Sequence, residues 1–279
     1  MAKINLIATY PKSGTTWTRI LLESLRQGGA GISINGVSLT IHLSYRYWVD
    51  EQLMMETVDL PKEWQRRLQG RALRALHEDG TARTVFGSTH AAYPDAADAE
   101  LFLPPSTIER VLYMVRNPLS VVPSYADFMG LSLDRAIDQL ADPHNALGVG
   151  TDISHGSNFP AFLGSWSRHV RSWRESGLDI LIVRYEDLLE DGHRTLTSMA
   201  RFLGLPDDGP VVESALGSHR FDQLQRQEAR DGFVGSHDRD KRFFRRGSPA
   251  AWRSELSAPQ VARIVEAHGE EMARYGYLP

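Results

Sequence analysis

The chain of 279 residues contains no cysteine at all. That excludes disulfides, thiolate metal sites and a cysteine nucleophile in one step. No apolar run reaches the roughly 18 residues a membrane span needs. The first residues, Met-Ala-Lys, lead into a strand-like run without a basic region and an apolar core of the secretory kind. Excess positive charge is missing as well. With 31 Lys and Arg against 35 Asp and Glu, the formal net charge is −4, so no nucleic-acid partner is expected. H-E-x-x-H and His/Asp clusters at ligand spacing do not occur, so no metal is expected. Hydrophobic content of 42% and charged content of 24% are those of an ordinary globular protein. A single domain over 1–279 in the cytoplasm, away from membranes, is the expectation.

What is present is an alternation of short β-branched runs and helical patterns. Strands are expected at 4–10 (INLIATY), 83–90 (RTVFGSTH), 108–118 (IERVLYMVRNP) and 178–188 (LDILIVRYEDL), and helices at 17–27, 63–80 and 193–205. Such spacing predicts βαβ units, hence an α/β fold with a parallel β-sheet flanked by helices. Ligands of such sheets bind beyond the carboxyl ends of the strands. Lys12, His90, Arg116 and Tyr185 all fall at or just past those ends. The Gly- and charge-rich stretches 140–158 and 227–249 read as long surface loops, the kind that serve as lids.

The loop TYPKSGTTW (9–17) has the physics of an anion site without the Walker order G-x-x-x-x-G-K-[ST]; its lysine precedes the glycine. A turn at Gly14 converges backbone N–H groups at a helix start, where the dipole favours negative charge. Ser13, Thr15 and Thr16 add hydroxyls, Lys12 adds a point charge and Trp17 a flat face. A nucleotide or small-molecule kinase is the alternative enzyme class for such a loop, disfavoured by the missing G-K-[ST] order.

TYPKSGTTW together with VRNPLSVVPS (115–124) resembles the cytosolic-type sulfotransferases, which use 3′-phosphoadenosine-5′-phosphosulfate (PAPS) and leave 3′-phosphoadenosine-5′-phosphate (PAP). The resemblance runs from residue 6 to about 253, and implies a P-loop-kinase-like fold and sulfuryl transfer to a hydroxyl of a small-molecule acceptor, without a metal. Lys12, Ser13, Gly14, Thr15 and Thr16 would then hold the 5′-phosphosulfate, with Lys12 at the bridging oxygen and Ser13 restraining Lys12 until acceptor binds. Arg116 and Ser124 would bind the 3′-phosphate. Trp17, Tyr185 of VRYEDL and Phe221 of SHRFDQL would surround the adenine. FFRRGSPAAW (243–252) matches the family's Arg-Lys-Gly segment with Arg245, Arg246 and Gly247, part of a lid at about 225–248.

The resemblance gives His90, Lys12 and Ser124 as the catalytic set, with His90 the general base. The family's strand-end Lys-Thr-His appears as Ser88-Thr89-His90, so a second lysine is replaced by serine. The stretch 145–177 is similar to bacterial members that sulfate glycopeptide antibiotics. Its Trp166, Val170 and Trp173 fall on one helix face, more often core than contact. The segment 42–58, with Tyr45, Tyr47, Trp48, Met54 and Met55, suits either a pocket for a flat acceptor or plain core. The family's dimer motif K-x-x-x-T-V-x-x-x-E is not seen in WRSELSAPQVARIVE, so a homodimer is not expected to form by that motif.

Overall fold

The computed structural model describes residues 3–38, 40–78, 85–148, 158–235, 242–245 and 247–279. The strands are β1 (Ile4–Thr9), β2 (Thr40–His42), β3 (Val85–Thr89), β4 (Ile108–Val115), β5 (Ala146–Leu147), β6 (Ala161–Phe162) and β7 (Ile180–Arg184). Helices α1 (Thr15–Arg26), α2 (Arg46–Leu53), α3 (Lys62–Glu78), α4 (Ala96–Phe102), α5 (Pro118–Met129) and α6 (Leu133–Ala141) fall in the first half of the chain. They are followed by α7 (Trp166–Arg174), α8 (Tyr185–Glu190), α9 (Gly192–Leu203), α10 (Gly209–Ser218), α11 (Phe221–Asp231) and α12 (Ala258–Arg274). Among the described residues no helix is long and apolar enough to cross a membrane.

Five strands form one sheet in the order β2-β3-β1-β4-β7, and β3 pairs in parallel with both β1 and β2. Parallel strands carry crossover helices on both faces, so their side chains are buried on both; all six residues of β1 are buried. The α/β architecture is the one expected.

The chain groups into two compact units. The first comprises Met1–Tyr10, Thr40–Tyr113 and Asp142–Ile182. Its core includes Leu6, Ile7, Tyr10, Tyr113 and the face of α7 carrying Trp166, Val170 and Trp173, all at most 1% exposed. That face is core, as the i, i+4, i+7 spacing indicates. Ser165 caps α7 by accepting from the Arg168 amide. The second unit comprises Pro11–Leu39, Met114–Ala141 and Val183–Pro279. One of its clusters gathers Ile20, Ile32, Ile34, Leu224 and Phe244, with Trp17, Phe221 and Phe243 packed against it.

Three sequence expectations are corrected. The strand expected over 178–188 ends at Arg184, and α8 begins at Tyr185. Glu186 and Asp187 fall in its first turn, where carboxylates favour a helix start. The loop expected over 227–249 is helical as far as Asp231, because Leu224 buries one side of α11 and Asp222 pairs with Arg226 at i, i+4 on the other. Within 140–158, α6 extends to Ala141, and Ala146–Leu147 pairs with Ala161–Phe162 as a small antiparallel ribbon.

Candidate active site

The second unit carries Lys12–Thr16 and Arg116, the residues expected at an anion. After β1 the backbone turns through Lys12 at φ +68° and Gly14 at φ +100° before α1 begins. Gly14 is the N-cap of α1 and no side chain caps it, so the first amides of the helix keep their donor capacity for an anion. A Cβ on Gly14 would lie 2.6 Å from Cδ2 of Tyr185. Only glycine therefore suits the position, for its φ and for its closeness to the ring.

Arg116 leaves β4 and donates from Nη1 to the Lys12 carbonyl at 2.7 Å. Its guanidinium lies 4.5 Å from the centroid of the Tyr185 ring. The turn that follows is fixed by sequence. Asn117 accepts from the Leu119 amide as N-cap of α5, and Pro118 occupies the first turn, where its missing N–H costs nothing. The Asn117 amide donates to Oε1 of buried Glu186, and the Tyr277 hydroxyl donates to Oε2 at 2.7 Å. One carboxylate thus ties the start of α5 to α8, with Arg116 and Tyr185 on either side. Burial is the main reason the Tyr185 hydroxyl is raised above its usual value.

Ser13 Oγ and Arg116 Nε are among the buried polar atoms of this unit that have no hydrogen-bond partner among the described residues. Unpaired buried donors are costly, which makes them a mark of a missing partner. Trp17 meets Tyr185 edge-on with centroids 5.8 Å apart and donates its Nε1–H to the His219 carbonyl. Thr15, Thr16 and Ser124 are each half-buried, Ser124 in the second turn of α5. Gly247, at φ +63°, lies so close to Phe221 that a Cβ would stand 2.5 Å from the ring. Arg245 is paired with Glu255 at 3.0 Å. Arg246 lies outside the described residues, as does part of the expected 225–248 lid.

Lys12 Nζ is placed 4.3 Å from the ring centroid of Phe128 and 4.2 Å from that of Phe243. Burial, then the charge of Arg116, brings its ammonium down to about 8.

The first unit carries His90, the residue directly after β3. Its Nδ1 is 3.0 Å from the carbonyl oxygen of Thr9 and 3.0 Å from the Thr9 hydroxyl. A carbonyl oxygen can only accept, so Nδ1 carries the proton and Nε2 carries the lone pair. That is the tautomer a general base needs. The backbone of His90 is also gripped: buried His169 donates from Nε2 to the His90 carbonyl at 2.9 Å, and Trp173 donates to the Ala91 carbonyl at 3.0 Å. With Nε2 as donor, His169 Nδ1 accepts from the Tyr113 hydroxyl at 2.8 Å. Full burial takes His169 down to about 3, so it stays neutral. Ser88, in place of the second lysine, is fully buried, and its hydroxyl has no partner among the described residues.

A row of rings extends from His90. His42 lies 5.5 Å away, Tyr45 stacks on His42 at 4.7 Å, and Tyr47 follows at 5.8 Å. Tyr45, Tyr47, Met54 and Met55 are exposed, whereas Trp48 is core. Within 42–58 the core expectation therefore holds for Trp48 and not for the four exposed side chains.

Sequence reasoning missed Thr9, Tyr113, His169, Glu186, Phe128 and Phe243. His169 left a readable trace, a polar residue between Trp166 and Trp173 on the buried stripe of α7. The partners of Glu186 and of Lys12 come from distant segments and left none.

The family model described as Sulfotransferase domain matches residues 5–276. Sulfotransferase 1A1 of Rattus norvegicus is 26% identical over 283 residues, covering 94% of this chain and 82% of that protein. Sulfotransferase 1C2 of Homo sapiens is 24% identical over 279 residues, covering 96% and 82%. Among solved structures, a mouse sulfotransferase complexed with PAP is similar at TM-score 0.62 and 17% identity, covering 97% of this chain and 85% of that one. Retinol dehydratase complexed with retinol and PAP is similar at TM-score 0.62 and 17% identity, covering 96% and 81%. The fold is that of the sulfotransferases, and the chain belongs to the sulfotransferase domain family.

Proposed function

We propose that this sulfotransferase uses PAPS as donor and transfers the sulfuryl group to a hydroxyl of a small-molecule acceptor. The observation that carries the donor assignment is the turn at Lys12–Thr16. Its helix N-terminus has no side-chain cap, and the buried Ser13 Oγ and Arg116 Nε beside it have no partner among the described residues. A glycine turn with its backbone amides at a helix start suits a phosphosulfate, and at Gly14 the absence of a Cβ leaves room for the Tyr185 ring beside the turn. The PAP named with both solved neighbours supports the same donor. When bound, PAPS supplies the sulfuryl group and a phosphate oxygen as leaving group.

In this reading the residues divide the work. Ser13, Gly14, Thr15 and Thr16 hold the 5′ end, and Lys12 stabilises charge developing on the departing oxygen. Arg116 and Ser124 bind the 3′-phosphate together with Arg245, Arg246 and Gly247, and an arginine fork suits a terminal phosphate. Trp17, Tyr185 and Phe221 offer rings to the adenine. His90 takes the acceptor proton at Nε2, the nitrogen its contact with Thr9 leaves unprotonated. The rings of His42, Tyr45 and Tyr47 beside it suit a flat, apolar acceptor body. The cytoplasmic setting and a single domain with a lid at about 225–248 belong to the same proposal.

The test is transfer of labelled sulfate from PAPS to a panel of phenols and alcohols, with His90→Ala beside the wild type. Turnover in the variant should fall on the order of 10²–10⁴-fold while the Kd for PAP stays within about threefold. A variant that turns over normally would remove His90 from the mechanism.

A further inference from the structure

The expected site residues leave Phe128, Phe243 and Glu228 near Lys12 without a role, and with them Gln225, which binds the segment of Phe243. We infer that Phe128 and Phe243 form an aromatic cage that positions the Lys12 ammonium, and that Gln225 and Glu228 of α11 are the positioning residues that hold its Phe243 wall in place. The inference deepens the reading of Lys12 as the cation of the sulfuryl-transfer site, and rests on it.

The geometry is specific. Two ring centroids stand 4.3 and 4.2 Å from Nζ, well inside the roughly 6 Å at which a ring face attracts a cation. Phe128 comes from the last turn of α5, so its backbone is held by the helix. Phe243 belongs to a segment outside any helix or strand, and its backbone is held by side chains. The amides of Phe243 and Phe244 donate to Oε1 and Oε2 of Glu228 at 2.5 and 3.0 Å. The carbonyls of Phe244 and Arg245 accept from Gln225 Nε2 at 2.8 and 3.2 Å. Gln225 and Glu228 are three apart, hence on one face of α11. Together they satisfy four backbone groups of three consecutive residues, the pairing a neighbouring strand would otherwise give. Phe244 anchors the segment in the cluster with Ile20 and Leu224. Arg245, next in line, is one of the residues assigned to the 3′-phosphate, so one pair of α11 side chains sets both the Lys12 wall and a phosphate ligand.

The cage has two opposed effects on the lysine. It keeps water away, which favours the neutral amine, and it offers π-faces, which favour the cation. The charged groups facing Lys12 are Arg116 and Arg245, which lower its pKa, and Asp127 and Glu228, which raise it; burial outweighs them and brings it to about 8.

The two effects separate under substitution. The chain has only four lysines, Lys3, Lys12, Lys62 and Lys241, and Lys3 is exposed. Competitive labelling with an amine-selective reagent across pH 6–11, read by mass spectrometry, therefore gives the midpoint of Lys12 against Lys3 in one protein. The wild-type midpoint should lie near 8. Phe243→Ala admits water and should raise it; a rise of one pH unit lowers the Lys12 to Lys3 ratio at pH 8 about fivefold. Phe243→Leu keeps water out but removes the π-face, and should lower it. Gln225→Ala, which removes no charge, should shift it in the direction of Phe243→Ala. Midpoints unchanged in Phe243→Ala and Gln225→Ala would overturn the cage and its support. Calorimetric titration of the wild type with PAP reports separately on the cofactor site. Failure to bind PAP would sink the functional reading while leaving the labelling result intact.

Discussion

Gly14 is the residue on which the loop depends most. It stands at φ +100° with a tyrosine ring where a Cβ would go. Gly14→Ala should cost about 2 kcal/mol or more in urea unfolding, because left-handed strain and a displaced Tyr185 add together. It should also raise the PAP Kd at least tenfold by turning the α1 amides away from the anion. Wild-type stability together with wild-type affinity would show that the cradle tolerates a side chain. Lys12, Arg116, His90 and Tyr185 were legible in the sequence because each follows a β-branched run at a strand end. The sequence did not disclose which nitrogen of His90 carries the proton. That is decided by Thr9, 81 residues away, whose carbonyl can only accept.

At the scale of elements, the turn from β4 into α5 is written in three adjacent residues. Arg116 ends the strand, Asn117 caps the helix and Pro118 fills a position where no N–H is wanted. Asn117→Ala should cost about 1 kcal/mol of stability, the usual worth of an N-cap. The PAP Kd should rise several-fold as the fixed exit of Arg116 loosens, measured by urea unfolding and calorimetry. An unchanged Kd would show that Glu186 and Tyr185 hold Arg116 without the cap. The short buried strands were readable from their apolar runs, and their ends were not. Ile180–Arg184 and α8 share a continuous run of apolar and polar residues, and the acidic first turn of α8 divides them. The extension of α11 through 227–231 was hidden because its polar face looks like a charged loop, while its inner side rests on one leucine and on a segment found only in space. The cage around Lys12 was hidden for the same reason: Phe128 and Phe243 are 115 positions apart in the sequence.

For the whole molecule, three buried histidines tie stability to pH. His169 and His268 are brought down to about 3 and about 4 by burial, and His219 is lowered for the same reason. Each is neutral in the folded chain, whereas the unfolded chain protonates it near 6.5, so below that value the unfolded state binds more protons. Stability should therefore fall as pH drops from about 6.5 toward 4. The slope should be about 1.4 kcal/mol per pH unit for each histidine still neutral in the fold. Urea midpoints at pH 7 and pH 5 measure it, and equal midpoints would show that the folded chain takes up those protons without strain. The central claim concerns which anion the early-lysine loop holds, and thermal unfolding with ligand tests it most directly. PAP in the presence of EDTA at about a hundred times its Kd should stabilise the protein by about 2.7 kcal/mol, a shift of about 5 °C at this size. A shift with magnesium ATP and none with PAP would contradict the account and make the loop that of a kinase.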